Sequence, residues 1–167
     1  MAGASMTLAR FLAAPSARIA TAAAVPYDTT ATPALGALAV DAGRFSGVRY
    51  RVPDGYLARE LRGARMRTLA GVFDEFAAAF QFPYYFGENK DAFDECLRDL
   101  DEFVGAAAGY VALIRDSAEL LADEPGELSW FAAATSDAAA YWSAKHAVYR
   151  AVLQGTPPCG DVVTLTA

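Results

Sequence analysis

The side chains able to do chemistry crowd into one stretch, PYYFGENKDAFDECLRDLD, at 83–101. It carries six acids, Glu88, Asp91, Asp94, Glu95, Asp99 and Asp101, against Lys90 and Arg98. An aromatic run, Tyr84, Tyr85 and Phe86, precedes the acids and is closed by Gly87. Paired carboxylates such as Glu88 with Asp91, or Asp91 with Glu95, have the composition of an acid/base couple. An open helix face would give neither member the desolvation that separates their proton affinities. No nucleophile with an attendant base and no Gly-rich phosphate loop accompanies them. A Ca²⁺ loop would need alternating oxygen ligands around a glycine turn, and that pattern is missing. The single His146 excludes any site built from several histidines, and it is expected to serve as a cation at a helix end. The reading is a protein that is not an enzyme and uses no metal or cofactor.

Two readings of the acids stand side by side. One is a solvated surface, the ordinary place for a run of charge. The other is a docking face for a cationic partner: clustered carboxylates steer association, and neighbouring aromatics supply the apolar contact that charges lack. Of the three rings, Phe86 is expected to point inward and Tyr85 outward.

The elements that must position these residues follow from local patterns. Thr68 reads as an N-cap, followed by Leu69, Val72, Phe73, Phe76 and Phe80 at helical spacing, with Pro83 beyond the end. Asn89 can cap a second helix, about 90–102, whose apolar stripe is Ala92, Phe93, Cys96, Leu97 and Leu100. On that helix Asp91, Asp94, Glu95, Asp99 and Glu102 share the opposite face. The alternation in GVRYRVPDG (47–55) predicts a strand, YLAREL (56–61) a second, GYVALI (109–114) a buried third and AVYRAVL (147–153) a last one. Ser117 is expected to cap a short helix to Leu121, and Pro125 to open a longer one to about 143. Helices alternating with strands favour a small parallel sheet, since parallel strands need crossovers, hence an α/β layered domain. Trp130, Trp142 and Cys96 are expected to pack in or near the core.

The chain of 167 residues, 54% hydrophobic, has ample material for one core. Its Ala/Thr/Pro-rich residues 1–46 predict a loosely packed N-terminal extension with a short helix near 7–14 and a strand near 37–40. Residues 47–154 form the domain, and 155–167 a tail that adds an edge strand or hangs free. A net charge of −6 argues against direct nucleic-acid binding. No run is apolar enough to span a membrane. Cys96 and Cys159 show no disulfide or metal spacing and suit a reducing cytoplasm. The first 25 residues are faintly similar in composition to an organelle transit peptide, as alanine-rich coding bias also would make them.

PYYFGENKDAFDECL resembles the barstar family, intracellular inhibitors of secreted barnase-type ribonucleases, whose pattern here is roughly P-x-Y-Y-G-E-N-x-D-A-L-W-D-C-L. Pro83, Tyr85, Gly87, Glu88, Asn89, Asp91, Ala92, Cys96 and Leu97 match it. The register runs back without a gap to Gly63, which matches the glycine after the family's first strand, and the resemblance covers about residues 56–154. It implies a three-stranded parallel sheet packed with about four helices, and a function of plugging the active site of a basic ribonuclease, secreted or a toxin. By position it implies that Tyr85 and Asn89 are a contact tyrosine and the loop asparagine. Asp91 and Glu95 fall on contact aspartates, and Gly87, Glu88 and Asp94 complete the binding set. Glu95 lengthens the arm by a methylene. Asp94 stands where the family has a contact tryptophan, Leu100 stands where another tryptophan is usual, and Lys90 replaces an apolar residue beside Asp91. Asp137 is the nearest candidate for the family's last-helix acid, at the cost of a small insertion. The resemblance also implies a protein that is monomeric when free. The alternative is an immunity or interaction module of the same fold whose partner is not a ribonuclease.

Overall fold

The computed structural model describes residues 5–14, 33–160 and 162–167. Most of the alanine-rich stretch weighed above as transit-like lies outside them. The described strands form one sheet. They are β1 (Ser5–Thr7), β2 (Leu35–Leu38), β3 (Tyr56–Arg62), β4 (Gly109–Arg115), β5 (Val148–Gln154) and β6 (Val163–Thr166), in the order β1-β6-β2-β5-β4-β3. Every pairing is parallel. The six helices among the described residues are α1 (Leu8–Leu12), α2 (Ala42–Ser46), α3 (Leu69–Phe80), α4 (Lys90–Arg98), α5 (Leu100–Val104) and α6 (Leu128–Ala144). The α/β class and the parallel sheet hold. The strand number does not: six strands replace the expected three.

The central strands are continuous apolar runs because both faces are covered, as parallel sheets require. Tyr110, Ala112 and Ile114 of β4 face a large core with Phe76, Phe93, Phe131 and Trp142. Val111 and Leu113 alternate to the other face, against Leu8, Phe11, Leu12 and Phe45 of α1 and α2. Residues 5–14 and 33–46 are therefore part of the packed body, not loosely packed. Arg150 on β5 donates from Nε to the Phe11 carbonyl at 3.2 Å, and the Tyr56 hydroxyl donates to the Leu12 carbonyl at 2.7 Å. These bonds satisfy carbonyls at the end of α1 that the helix leaves open.

Other expectations need correction. GVRYRV forms a 3₁₀ turn, Val48–Tyr50, and no strand. Val48 is buried and Val52 packs against the same core, whereas Tyr50 is exposed. The tail adds β6 between β1 and β2 rather than at an edge. The segment after Asp116 is a 3₁₀ turn, Ser117–Glu119, with no side-chain cap, because the Ser117 hydroxyl donates instead to the Gln154 carbonyl. Pro125 opens a 3₁₀ turn, and α6 proper starts at Leu128. Gly63 allows β3 to turn under the end of β4: an added Cβ would strike the Arg115 and Asp116 carbonyl oxygens.

Candidate protein-binding face

The face is built on α3, the loop after it and α4. Thr68 caps α3 by accepting from the Gly71 amide, as its type and position predict. Gln81 ends the helix in a left-handed conformation, and the chain turns through Pro83 to Phe86. Phe86 anchors the loop from below, 5.8 Å from Phe73 and 5.1 Å from Phe82 between ring centroids. With that ring inward, Tyr84 and Tyr85 are thrown outward, 100% and 66% exposed. Their rings pack edge to face at 5.5 Å. Both the inward Phe86 and the outward Tyr85 agree with the sequence reading.

Glu88 is exposed and adopts a positive φ of 49°, and Asn89 then starts α4. The Asn89 side chain accepts from the Ala92 amide at 2.9 Å and donates to the Gly87 carbonyl at 3.2 Å. One side chain thus caps the helix and ties down the loop carrying the tyrosines. A Cβ on Gly87 would come to 3.0 Å from the Asn89 amide nitrogen, so the close approach favours glycine.

On α4, Phe93, Cys96 and Leu97 are buried. Asp91 and Glu95 are exposed one turn apart, and Asp94 is half-buried. One Asp94 carboxylate oxygen is buried with no hydrogen-bond partner among the described residues. Burial pushes this carboxyl up, and Asp137 and Asp91 add to the shift against the opposing Arg98. Asp94, Arg98, Ala134, Asp137 and Ala138 line a cavity of about 30 Å³ between α4 and α6. The structure thereby brings Asp137 to the acidic face.

The acidic stripe is shorter than the sequence implies. The helix expected over 90–102 breaks at Asp99, and Asp101 and Glu102 fall in the first turn of α5. Trp142 donates its indole N–H to the Leu97 carbonyl, the acceptor a continuing helix would offer to residue 101. Asp99 and Asp101 lie on the side of Lys145, whose ammonium is raised first by its bond to Tyr141 and then by these two acids. Leu100 is fully buried and takes no part in the exposed face.

Lys90 does not lie over Asp91. Its Nζ is 2.6 Å from Glu127 and 5.6 Å from the centre of the Trp130 ring. Sequence reasoning missed Glu127 because this contact crosses between segments with no local signal. It also missed the full exposure of Tyr84, which the motif leaves unspecified. His146 is exposed with φ of 61° just beyond α6. Among the described residues no group of three His, Cys, Asp or Glu side chains is placed to hold a metal ion, and no helix is long and apolar enough to cross a membrane.

The family model Barstar (barnase inhibitor) matches residues 56–154, more than half of the chain. The chain belongs to the barstar family. No curated protein matches it. In this barstar-family chain the matched segment starts with the first residue of β3 and ends with the last of β5. Its three strands, β3, β4 and β5, are neighbours in the sheet, so the expected three-stranded unit is present within a larger one. The other three strands come from the flanking segments. The loop tyrosines, Asn89, Asp91 and Glu95 all fall inside the barstar match.

Proposed function

We propose that this chain is a barstar-like inhibitor that binds a basic ribonuclease and occludes its active site with the face formed by the 83–89 loop and α4. The observation that carries the reading is the placement of Asp91 and Glu95, exposed one turn apart on the helix that follows the loop bearing the outward Tyr84 and Tyr85. Carboxylates so placed can occupy positions where a ribonuclease binds RNA phosphates, while the tyrosines cover the rim. Like charges at i, i+4 repel by a few tenths of a kcal/mol, a cost that a cationic partner removes. Gly87 and Asn89 hold the loop, and Glu88 and Asp94 extend the negative field. The binding role belongs to the 47–154 unit, with 1–46 and 155–167 in support. The protein acts in the cytoplasm as a monomer when free, gives immunity to a secreted or toxin ribonuclease, and uses no cofactor, nucleic acid or membrane.

A second reading keeps the face and changes the partner. It is favoured by Asp94, which stands where the family resemblance places a contact tryptophan, and by the buried Leu100, where another tryptophan is usual. The deciding experiment captures partners from the source organism on immobilised wild-type and Asp91→Ala/Glu95→Ala proteins and assays the bound fraction for RNA cleavage after denaturing release and refolding. Ribonuclease activity recovered from wild type and absent from the double variant supports the first reading. A partner without that activity, lost equally from the double variant, supports the second.

A further inference from the structure

Lys90 sits four residues before Asp94, the spacing at which a lysine and an aspartate on one helix pair with each other. They do not pair here. Lys90 reaches across to Glu127 in the 3₁₀ turn before α6, and Trp130, one turn into that region, adds its ring to the same attraction. Two attractions hold the ammonium on the α6 side, and a cation over an indole face is favourable even at partly exposed sites. One buried oxygen of Asp94 has no hydrogen-bond partner among the described residues.

We infer that Glu127 is a positioning residue for the binding face: it holds Lys90 off Asp94 and so keeps the α4 surface anionic toward a partner. Without Glu127, the Lys90 side chain is free to fold along α4 onto Asp94. The face would then lose one negative charge in effect and present an ammonium beside Asp91. With Glu127 in place, the partner meets a carboxylate at 94. The partner class that fits carries an arginine or lysine opposite the α4–α6 groove, rather than an apolar surface matched to a tryptophan. The consequence for binding rests on the inhibitor reading above, whereas the lock is tested without any partner.

The titration of the Asp94 carboxyl is followed by NMR in the full chain as wild type, Lys90→Met, Glu127→Gln and Glu127→Gln/Lys90→Met. The charged groups facing Asp94 are Asp91 and Arg98 on α4 and Asp137 on α6, and all four proteins retain them. Glu127→Gln is expected to lower the Asp94 midpoint by roughly 0.3 pH unit, the size of an i, i+4 ion pair. Lys90→Met alone leaves it near wild type, and the double variant returns it there. Association with purified barnase, measured on the same proteins, is slowed by Glu127→Gln and recovered in the double variant. An unmoved midpoint in Glu127→Gln overturns the inference. So does a midpoint that stays low in the double variant, because the effect then does not run through Lys90. A midpoint that falls and recovers while none of the four proteins binds barnase supports the lock and counts against barnase itself as the partner.

Discussion

The indole N–H of Trp142 donates to the carbonyl of Leu97 at 2.8 Å, and this bond joins the long helix of the second half to the end of the acidic helix. Both residues are buried, with Trp142 4% and Leu97 1% exposed. A buried carbonyl left without its donor costs about 1–3 kcal/mol. Trp142→Phe keeps an aromatic ring and removes the donor. Thermal or urea unfolding of that variant is expected to show a loss of this size, together with faster amide exchange over the 96–104 segment. An unchanged unfolding midpoint would show that α4 and α5 are held apart by packing alone.

Two carboxylates are expected to shift stability in opposite directions with pH. Asp94 is raised from its ordinary 3.8, first by burial. The folded protein therefore holds that proton more tightly than the unfolded chain, so its contribution improves as pH falls through the raised native value. Burial also pushes Glu75 up, but its bonds to Arg62 outweigh burial and leave it below its ordinary 4.5. Its contribution is present above 4.5 and disappears as pH falls through the lowered native value. Asp94→Asn should stabilise the protein at neutral pH and Glu75→Gln should destabilise it. Both differences should shrink in acid, as urea unfolding from pH 7 down to pH 3 would show.

Cys96 lies under the acidic face, 5% exposed. Burial first, then Asp99 and Glu95, push its thiol up to about 11. The thiolate is the reactive form, so native Cys96 is expected to label with iodoacetamide far more slowly at pH 8 than the same thiol in urea. Mass mapping of the labelled peptide tests this. Rapid native labelling would mean that α4 opens readily from the core.

Much of the fold could be read from local pattern. The strands at 56, 109 and 148 are short apolar runs between turn signals, and the Thr68 and Asn89 caps announce their helices. The Asn89 cap also ties down the loop before it, where Phe86 and Tyr85 fall on the expected sides. What escaped is nonlocal. The strand expected near 37–40 lies at 35–38, but nothing local shows that β5 and β6, more than a hundred residues later, pair with it on both sides. The break at Asp99 carries no proline or glycine, and its visible correlate is an indole from α6. The Lys90–Glu127 contact is equally remote, so the sequence shows a cation beside Asp91 where the structure has turned it away.

The N-terminal residues give a direct stability test of that nonlocal assembly. Phe11 is completely buried against the sheet face opposite the acidic helices. Phe11→Ala should cost about 3–5 kcal/mol, the range for truncating a core aromatic. A cost near zero in urea unfolding would mean that α1 does not pack on the matched 56–154 unit in solution.

On the inhibitor reading, Asp91 and Glu95 face a ribonuclease. The most direct measurement is the rate of RNA cleavage by a basic ribonuclease from the source organism as the wild-type and Asp91→Ala/Glu95→Ala proteins are titrated in. Wild type is expected to abolish cleavage at one equivalent. Losing one member of a desolvated charge pair typically costs about 2–5 kcal/mol, so the double variant should need at least a thirtyfold higher concentration. Cleavage that persists at saturating wild type, or inhibition equal in the two proteins, would rule out inhibition through this face.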